Sequence, residues 1–424
     1  MSAAHDHYDA LEVRDPEQRE AALMAALPTQ VGHAKAHAPA FAELLRQIEA
    51  AAVTSREALA ALPVIRKHEL LERQQAQRAH DPFGGFSAIG WGAPHARSRG
   101  ARRVFQSPGP IYEPEGHATD YWRMARALYA AGFRAGDLVH NSFGYHLTPA
   151  GSMMETAAHA IGCTVFPGGV GNTELQVQAM AELRATAYAG TPSFLRIALD
   201  KADEVGLALP ALNKASVGGE AFPPSLRDAL AARGVLAYQS YGTADLGLVA
   251  YETTAREGLV LDEGVIVEIV RPGTGDLVPE GEVGEVVVTT LNPDYPLVRF
   301  GTGDLSAILP GRCPTGRSNT RIKGWLGRAD QTTKVRGMFV HPGQVAALLK
   351  RHPETLKVRL VVSGEMADDR MTLHAEAAAT TDGLSDALAT SLRELTKLRA
   401  DVVLAAPGSL PNDGKLIEDA RSYR

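Results

Sequence analysis

The chain has 424 residues, 45% of them hydrophobic and 22% charged, with a formal net charge of −6. That length exceeds what a single core organises, so two or more domains are expected, and the acidic balance argues against a dedicated nucleic-acid binder. The two cysteines, Cys163 and Cys313, are too few for a disulfide framework or an all-thiolate zinc site.

The opening stretch, MSAAHDHYDALEVRDPEQRE, places acids where a secretory signal needs an apolar core, and no apolar run approaches membrane-spanning length. A soluble cytoplasmic protein with no membrane or nucleic-acid partner is expected. Residues 8–50 alternate charges with Ala and Leu at helical spacing and read as two helices covering something larger. His33 and His37 share a helical face, but no carboxylate or thiol at a metal-site spacing joins them, which favours packing over ligation. After the basic run HARSRGARRVF comes QSPGPIYEP, residues 106–114, with the Ser and Gly of a phosphate loop but three prolines that have no N–H to offer.

From residue 117 the pattern is regular. A helix over HATDYWRMARALYAAG precedes the strand DLVHNSF, the helix GSMMETAAHAIG and the strand CTVFPG. The helix TELQVQAMAELR and the strand TAYAG follow, then a helix begun by Thr191 and Pro192 and, after KASVGGE, the helix PPSLRDALAARG and the strand VLAYQSYG. Such alternation predicts parallel βαβ crossovers, with chemistry in the loops beyond the strands' carboxyl ends. Past residue 260, VIVEIV and GEVVVTT, separated by a turn-rich stretch, predict an antiparallel β subdomain. A last unit beyond GRADQTTKVRG reads as a small α+β domain, with a boundary near Asp330.

Four loops gather glycine, hydroxyl and carboxylate. VGGEAF (Gly218, Gly219, Glu220) allows close approach of a ligand to backbone. YGTADLG offers Thr243 as a donor and Asp245 as a hard-cation ligand. RFGTGDLS presents Asp304 to the hydroxyls of a ribose. GRADQTTKVRG sets Arg328 and Lys334 around a hinge.

In this order, and followed by LPNDGKLIEDAR, these loops resemble the core motifs of the adenylate-forming (AMP-binding) superfamily, and more narrowly its phenylacetate–CoA ligase branch. The resemblance implies a large domain over 1–330 with parallel and mixed sheets and a β subdomain, and a small mobile α+β domain over 331–424 that swings about Asp330. It implies that a carboxylic acid and ATP form an acyl-adenylate, whose acyl group then passes to the thiol of coenzyme A. By position, Gly218, Gly219 and Glu220 match the adenine-contacting stretch. Tyr241, Gly242 and Thr243 match the loop over adenine and the α-phosphate. Asp304 matches the ribose-binding Asp, Arg328 the nucleotide-contacting Arg and Lys415 the lysine of the adenylation step. Asp245 stands where the family usually has a Mg²⁺-binding Glu. Lys334, Arg336 and Gly337 fall in the loop expected to guide CoA. Tyr145 matches an aromatic position of the acid pocket, which would favour an aromatic, phenylacetate-like substrate; an ordinary core tyrosine is the equal alternative. His146 either hydrogen-bonds substrate or is packed. The family also suggests a homodimer.

The chain departs from the pattern at three places. QSPGPIYEPEG keeps Ser107 and Gly109 but lacks the family's Thr run and Lys, and adds Glu113 and Glu115. Either Arg102 and Arg103 replace the lysine, or ATP binding is weakened. Gly301 takes the place of a family Arg. Cys313 has no thiolate partners where some relatives bind zinc, so no structural zinc is expected. Besides the CoA ligase, an enzyme loading a carrier-protein thiol and a non-catalytic nucleotide or acyl-adenylate binder fit the same motifs.

Overall fold

Local chemistry starts the helices where the sequence suggests. The Asp15 carboxylate accepts from the N–H groups of Glu17 and Gln18, at 2.9 and 3.1 Å, and opens helix α1 (Pro16–His37). Helices α2 (Pro39–Leu44) and α3 (Arg56–Ala60) follow. Strand β1 (Ile65–Arg66) then runs straight into α4 (Lys67–Gln77). The computed structural model describes residues 7–90, 100–329, 331–364, 369–377, 383–411 and 415–421. It divides the chain into two compact units, Met1–Leu326 and Gly327–Arg424.

In the first unit QSPGPIYEP is the tip and return of a hairpin, β2 (Arg103–Ser107) and β3 (Ile111–Glu115), paired antiparallel from Arg103↔Glu115 to Ser107↔Ile111. The helix expected over 117–132 is confined to α5 (Ala125–Ala130). Arg123 takes a left-handed φ of 62°, which no helix interior accepts. Its guanidinium reaches the Asp262 carboxylate and the Leu246 and Leu248 carbonyls, so tertiary bonding overrides the helical pattern.

The α/β rhythm follows as expected: β4 (Leu138–Asn141), α6 (Ala150–Ile161), β5 (Thr164–Pro167), α7 (Thr173–Glu182), β6 (Ala187–Gly190), α8 (Pro192–Glu204), β7 (Lys214–Val217), α9 (Pro224–Ala232) and β8 (Leu236–Thr243). Thr191 caps α8, its hydroxyl accepting from Phe194 N–H at 3.3 Å. These strands are parallel in the order β5-β4-β6-β7-β8. Beyond β8 come β9 (Gly247–Glu252), β10 (Leu259–Leu261), β11 (Val265–Val270), β12 (Gly284–Thr290), β13 (Phe300–Ser306), β14 (Ile308–Leu309) and β15 (Arg321–Ile322). Antiparallel β9, β10, β15 and β14 extend the first sheet to nine strands.

Strands β11, β12 and β13 form the expected antiparallel subdomain. All residues of β11 and β12 are buried, because α1 and α2 cover this sheet with Leu23, Leu27, Val31 and Phe41. At its edge β1 pairs parallel to β13, Ile65 opposite Phe300 and Arg66 opposite Gly301. A Cβ at Gly301 would lie 2.8 Å from Glu285 Oε1 and 3.2 Å from Val64, so a larger residue there would require the Glu285 carboxylate, which Arg66 meets at 3.4 Å, to move. The neighbouring Arg299 is instead buried with Glu268, Nε to Oε2 at 3.0 Å.

The second unit contains the hairpin β16 (Thr333–Val335) and β17 (Met338–Val340), α10 (Pro342–Arg351), β18 (Thr355–Ser363), β19 (Arg370–Ala377), α11 (Leu384–Thr396), β20 (Asp401–Ala405) and β21 (Ile417–Asp419). Its main sheet runs β20-β19-β18-β21. Val345 and Leu348 of α10 and Leu388 and Leu392 of α11 pack on Val358, Leu360 and Leu373 of that sheet. The α+β reading of this segment holds.

Candidate active site

The carboxyl ends of the parallel strands and the adjoining edge of β13 gather most of the first unit's expected residues. Tyr241, near the end of β8, donates from its hydroxyl to Asp304 Oδ2 at 2.9 Å and to Thr302 Oγ1 at 3.2 Å, both on β13. Trp325 Nε1 donates to Asp304 Oδ1 at 3.1 Å. Asp304 is thus oriented from both sides and buried, a fixed acceptor for neighbouring hydroxyls. The bulge between Tyr241 and Gly242 turns the chain toward Thr243, whose Oγ1 accepts from Leu246 N–H at 3.1 Å.

Beyond β7, a Cβ at Gly218 would stand 3.1 Å from the Ser240 carbonyl oxygen, so the GGE loop lies flat against β8. Glu220 is held by Ser193 Oγ, which donates to Oε2 at 2.5 Å. Beyond β4, Asn141 donates from Nδ2 to Tyr145 Oη and to the Gly151 carbonyl, each at 2.8 Å. The Tyr145 ring lies over Gly151, where a Cβ would be 2.9 Å from Cγ of the ring. Burial, and then the Glu155 carboxylate, hold the Tyr145 phenol above its ordinary pKa, so it remains a neutral hydroxyl. His146 is exposed, and its backbone carbonyl accepts from Thr148 N–H at 2.8 Å.

The hairpin differs most from a phosphate loop. Ser107 N–H donates to Glu113 Oε2 at 3.2 Å and Ser107 Oγ to Glu113 Oε1, so the chain's own carboxylate occupies the donors a phosphate would use. Gln74 of α4 locks β3 in place, Nε2 donating to the Tyr112 carbonyl and Oε1 accepting Tyr112 N–H, both at 2.8 Å. Glu113 is fully buried. Burial, and then the Asp245 charge, push its pKa well above the carboxylate range, against the pull of Lys67 and the Ser107 hydrogen bonds. Arg103 is committed elsewhere, to Glu115 Oε1 at 3.0 Å and Ser152 Oγ at 2.6 Å. The cation beside these carboxylates is Lys67, whose Nζ meets Asp245 Oδ2 at 2.8 Å.

Sequence reasoning missed Lys67. Its signal is weak, a lysine opening a helix in VIRKHEL, and only the docking of β1 on β13 brings it to the site. Asp245 Oδ1 is buried with no hydrogen-bond partner among the described residues, an open acceptor suited to a hard cation. Mg²⁺ ordinarily takes one or two carboxylates together with substrate phosphates, so Asp245 with Glu113 alongside fits that ion. Elsewhere, among the described residues, no three His, Cys, Asp or Glu side chains gather as a metal site. His33 donates to the Pro293 carbonyl at 2.8 Å, and buried Cys313 lies 3.1 Å from Thr315 Oγ1.

The remaining expected residues belong to the second unit. Lys334, Arg336 and Gly337 form the β16–β17 hairpin and its turn, Arg328 precedes it, and Lys415 is exposed just before β21. Asp330 lies outside the described residues.

A parallel sheet with acceptor and cation loops at its carboxyl ends is the setting in which α/β proteins bind ligands, and the AMP-binding enzyme family matches residues 145–292. The chain is 34% identical over 245 residues to the phenylacetate–coenzyme A ligase of Aromatoleum evansii, a match that spans 55% of each chain, little more than half of that relative's length. It is 32% identical over 336 residues to that of Thermus thermophilus, covering 76% of this chain and 72% of the relative. Its fold matches a crystal structure of 2-hydroxyisobutyryl-CoA ligase in complex with 2-HIB-AMP and CoA, with a TM-score of 0.82 at 24% identity over 100% of this chain and 94% of the other. The chain belongs to the phenylacetate–coenzyme A ligase family of AMP-binding enzymes.

Proposed function

We propose that the protein is an AMP-forming acid–CoA ligase acting on an aromatic, phenylacetate-like carboxylic acid. The observation that carries this reading is Asp304 of β13, fixed by Tyr241 of β8 and by Trp325, together with the Lys67–Asp245 pair at the turn that ends β8. A ribose acceptor and a polyphosphate-facing cation are what adenylation requires. A substrate carboxylate oxygen attacks the α-phosphorus of ATP, the bond to the bridging oxygen breaks, and pyrophosphate leaves. A thiolate of CoA then attacks the acyl carbon, and AMP departs with the electrons of the carbon–oxygen bond.

In this reading Asp304 holds the ribose hydroxyls, Gly218, Gly219 and Glu220 border the adenine, and Thr243 donates to the α-phosphate. Lys67 supplies the positive charge that the hairpin lacks. Mg²⁺, held by Asp245, would neutralise developing phosphoryl charge when bound. Tyr145, kept neutral and rigid over Gly151, presents a ring face to the acid. Arg328, Lys415 and the Lys334–Gly337 turn are assigned to the nucleotide, to adenylation and to CoA by their motif positions, with Asp330 as the hinge between half-reactions. A cytoplasmic homodimer completes the reading, and sedimentation of the purified protein tests that part.

The test of function is acid-dependent exchange of labelled pyrophosphate into ATP, with aryl, arylacetic and short aliphatic acids, followed by thioester formation with CoA alone. Exchange and thioester with an arylacetic acid are expected. Folded protein that binds AMP yet exchanges with none of the acids would overturn the ligase reading and favour a nucleotide-binding role, which the filled donors of Ser107 would explain.

A further inference from the structure

The second unit holds a cavity of about 440 Å³ apart from any catalytic loop except the β16–β17 turn. Four guanidinium-bearing residues line it: Arg336 from that turn, Arg370 at the start of β19, Arg393 in the last turn of α11 and Arg399 just before β20. Among the described lining residues Asp401 is the one carboxylate, and Thr390 adds a hydroxyl. Residues distant in sequence converge here because β19 and β20 pair in parallel, Thr372 opposite Asp401, with α11 crossing between them.

Arg336 is held at the cavity by its own backbone and side chain. It adopts a left-handed φ of 47°, its N–H donates to Asp369 Oδ2 at 2.8 Å, and Nε and Nη2 donate to the Asp369 carbonyl at 3.0 and 2.8 Å. The Asp369 carboxylate is also engaged by Arg421, Nη1 to Oδ1 at 3.0 Å, so it does little to offset the cavity's charge. Arg393 and Arg399 are exposed and have no ion-pair partner among the described residues. A basic residue in a helix's last turn is accounted for by the macrodipole. That explains Arg393 and leaves Arg399, exposed and without an ion-pair partner among the described residues, at the same concavity, where an anion would be favoured.

We propose that this cavity binds a phosphate-bearing anion of roughly nucleotide size, with the arginines as bidentate donors and Thr390 adding a hydroxyl. Two sources present that chemistry: the 3′-phosphorylated ADP end of CoA, and free pyrophosphate. The first rests on the ligase reading above, whereas the anion site itself does not.

Calorimetric titration of the full chain at low salt with adenosine 3′,5′-bisphosphate, pyrophosphate and unphosphorylated adenosine tests the site directly. The two anions are expected to bind, adenosine is not, and the double substitution R393E/R399E should weaken anion binding at least ten-fold. A second variant, R393Q/R399Q, and matching melting curves guard against misfolding. If CoA is the source, adenosine 3′,5′-bisphosphate binds more tightly than pyrophosphate, and the variant raises the KM for CoA about ten-fold and abolishes any preference for CoA over dephospho-CoA. If pyrophosphate is the source, its binding is lost in the variant and the KM for CoA does not move. Equal binding of both anions by wild type and variants, or no binding by wild type, overturns the site, and neither outcome depends on the enzyme being active.

Discussion

Replacing Lys67 by Met tests whether the carboxylates around the hairpin depend on this cation. Asp245 is wholly buried and Lys67 has a side chain 32% exposed, with 2.8 Å between Nζ and Oδ2. Removing one partner of a fully buried pair costs about 3–5 kcal/mol, because the other charge is left without compensation. Exposure of the lysine lowers this, since water already shares part of its charge, and about 2–3 kcal/mol is expected for Lys67→Met. Asp245→Asn leaves a lysine that can turn to solvent and should cost roughly 1 kcal/mol. The double variant should recover most of the loss, giving a coupling energy of about 2 kcal/mol in a double-mutant cycle. Urea unfolding followed by tryptophan fluorescence suits the measurement, because Trp122 and Trp325 both lie in the first unit. Coupling below roughly 0.5 kcal/mol, the level of an ordinary surface pair, would refute the claim that Lys67 neutralises this cluster.

Burial and Asp245 hold the Glu113 proton past the usual carboxylate range, so Glu113→Gln, which keeps an acceptor for Ser107, should change ATP affinity less than about two-fold at neutral pH and tighten it only at higher pH, where the wild-type carboxyl ionises; a gain of about ten-fold already at neutral pH would mean that Glu113 is ionised in the fold. Asp120 has its pKa raised to about 6, chiefly by burial and then by Asp262, against the backbone N–H groups of Ala125 and Met124 and the Arg123 charge. Its proton is held more tightly in the fold than in the unfolded chain, so its stabilising contribution is present below about pH 4 and lost as pH rises toward 6. Asp120→Asn should therefore stabilise the protein by about 1–3 kcal/mol at pH 8 and by almost nothing at pH 4, and a difference independent of pH would contradict that assignment. Lys415→Ala should slow pyrophosphate exchange by roughly 100-fold while leaving transfer from a preformed acyl-adenylate intact, and an unchanged exchange rate would make the lysine surface charge only.

Much of the α/β order was legible because each element carries its own signal. Thr191-Pro192 begins α8, Gly162 at φ 92° ends α6, and short apolar runs alternate with helical ones. The helix over 117–132 misled because its spacing is helical as far as Arg123, and only the tertiary pull of Asp262 sets that residue left-handed. Loop motifs singled out Asp304 and Tyr241, and the fold joins the two loops by a hydrogen bond across two sheets.

What was not legible depends on pairings between distant segments. Lys67 sits in an ordinary helix start, and nothing local announces that Ile65 and Arg66 dock on Phe300 and Gly301. A side chain at position 301 would displace the Glu285 carboxylate and crowd Val64 beside β1, so the glycine there suits the docked strand. Once β1 occupies that edge, positive charge comes from Lys67 at the head of α4, and Gln74, two turns further along the same helix, fixes the proline hairpin. One helix, α4, brings in the cation and holds rigid the loop that lost it, so substitutions along α4 should alter nucleotide binding more than its distance in sequence from the motifs suggests.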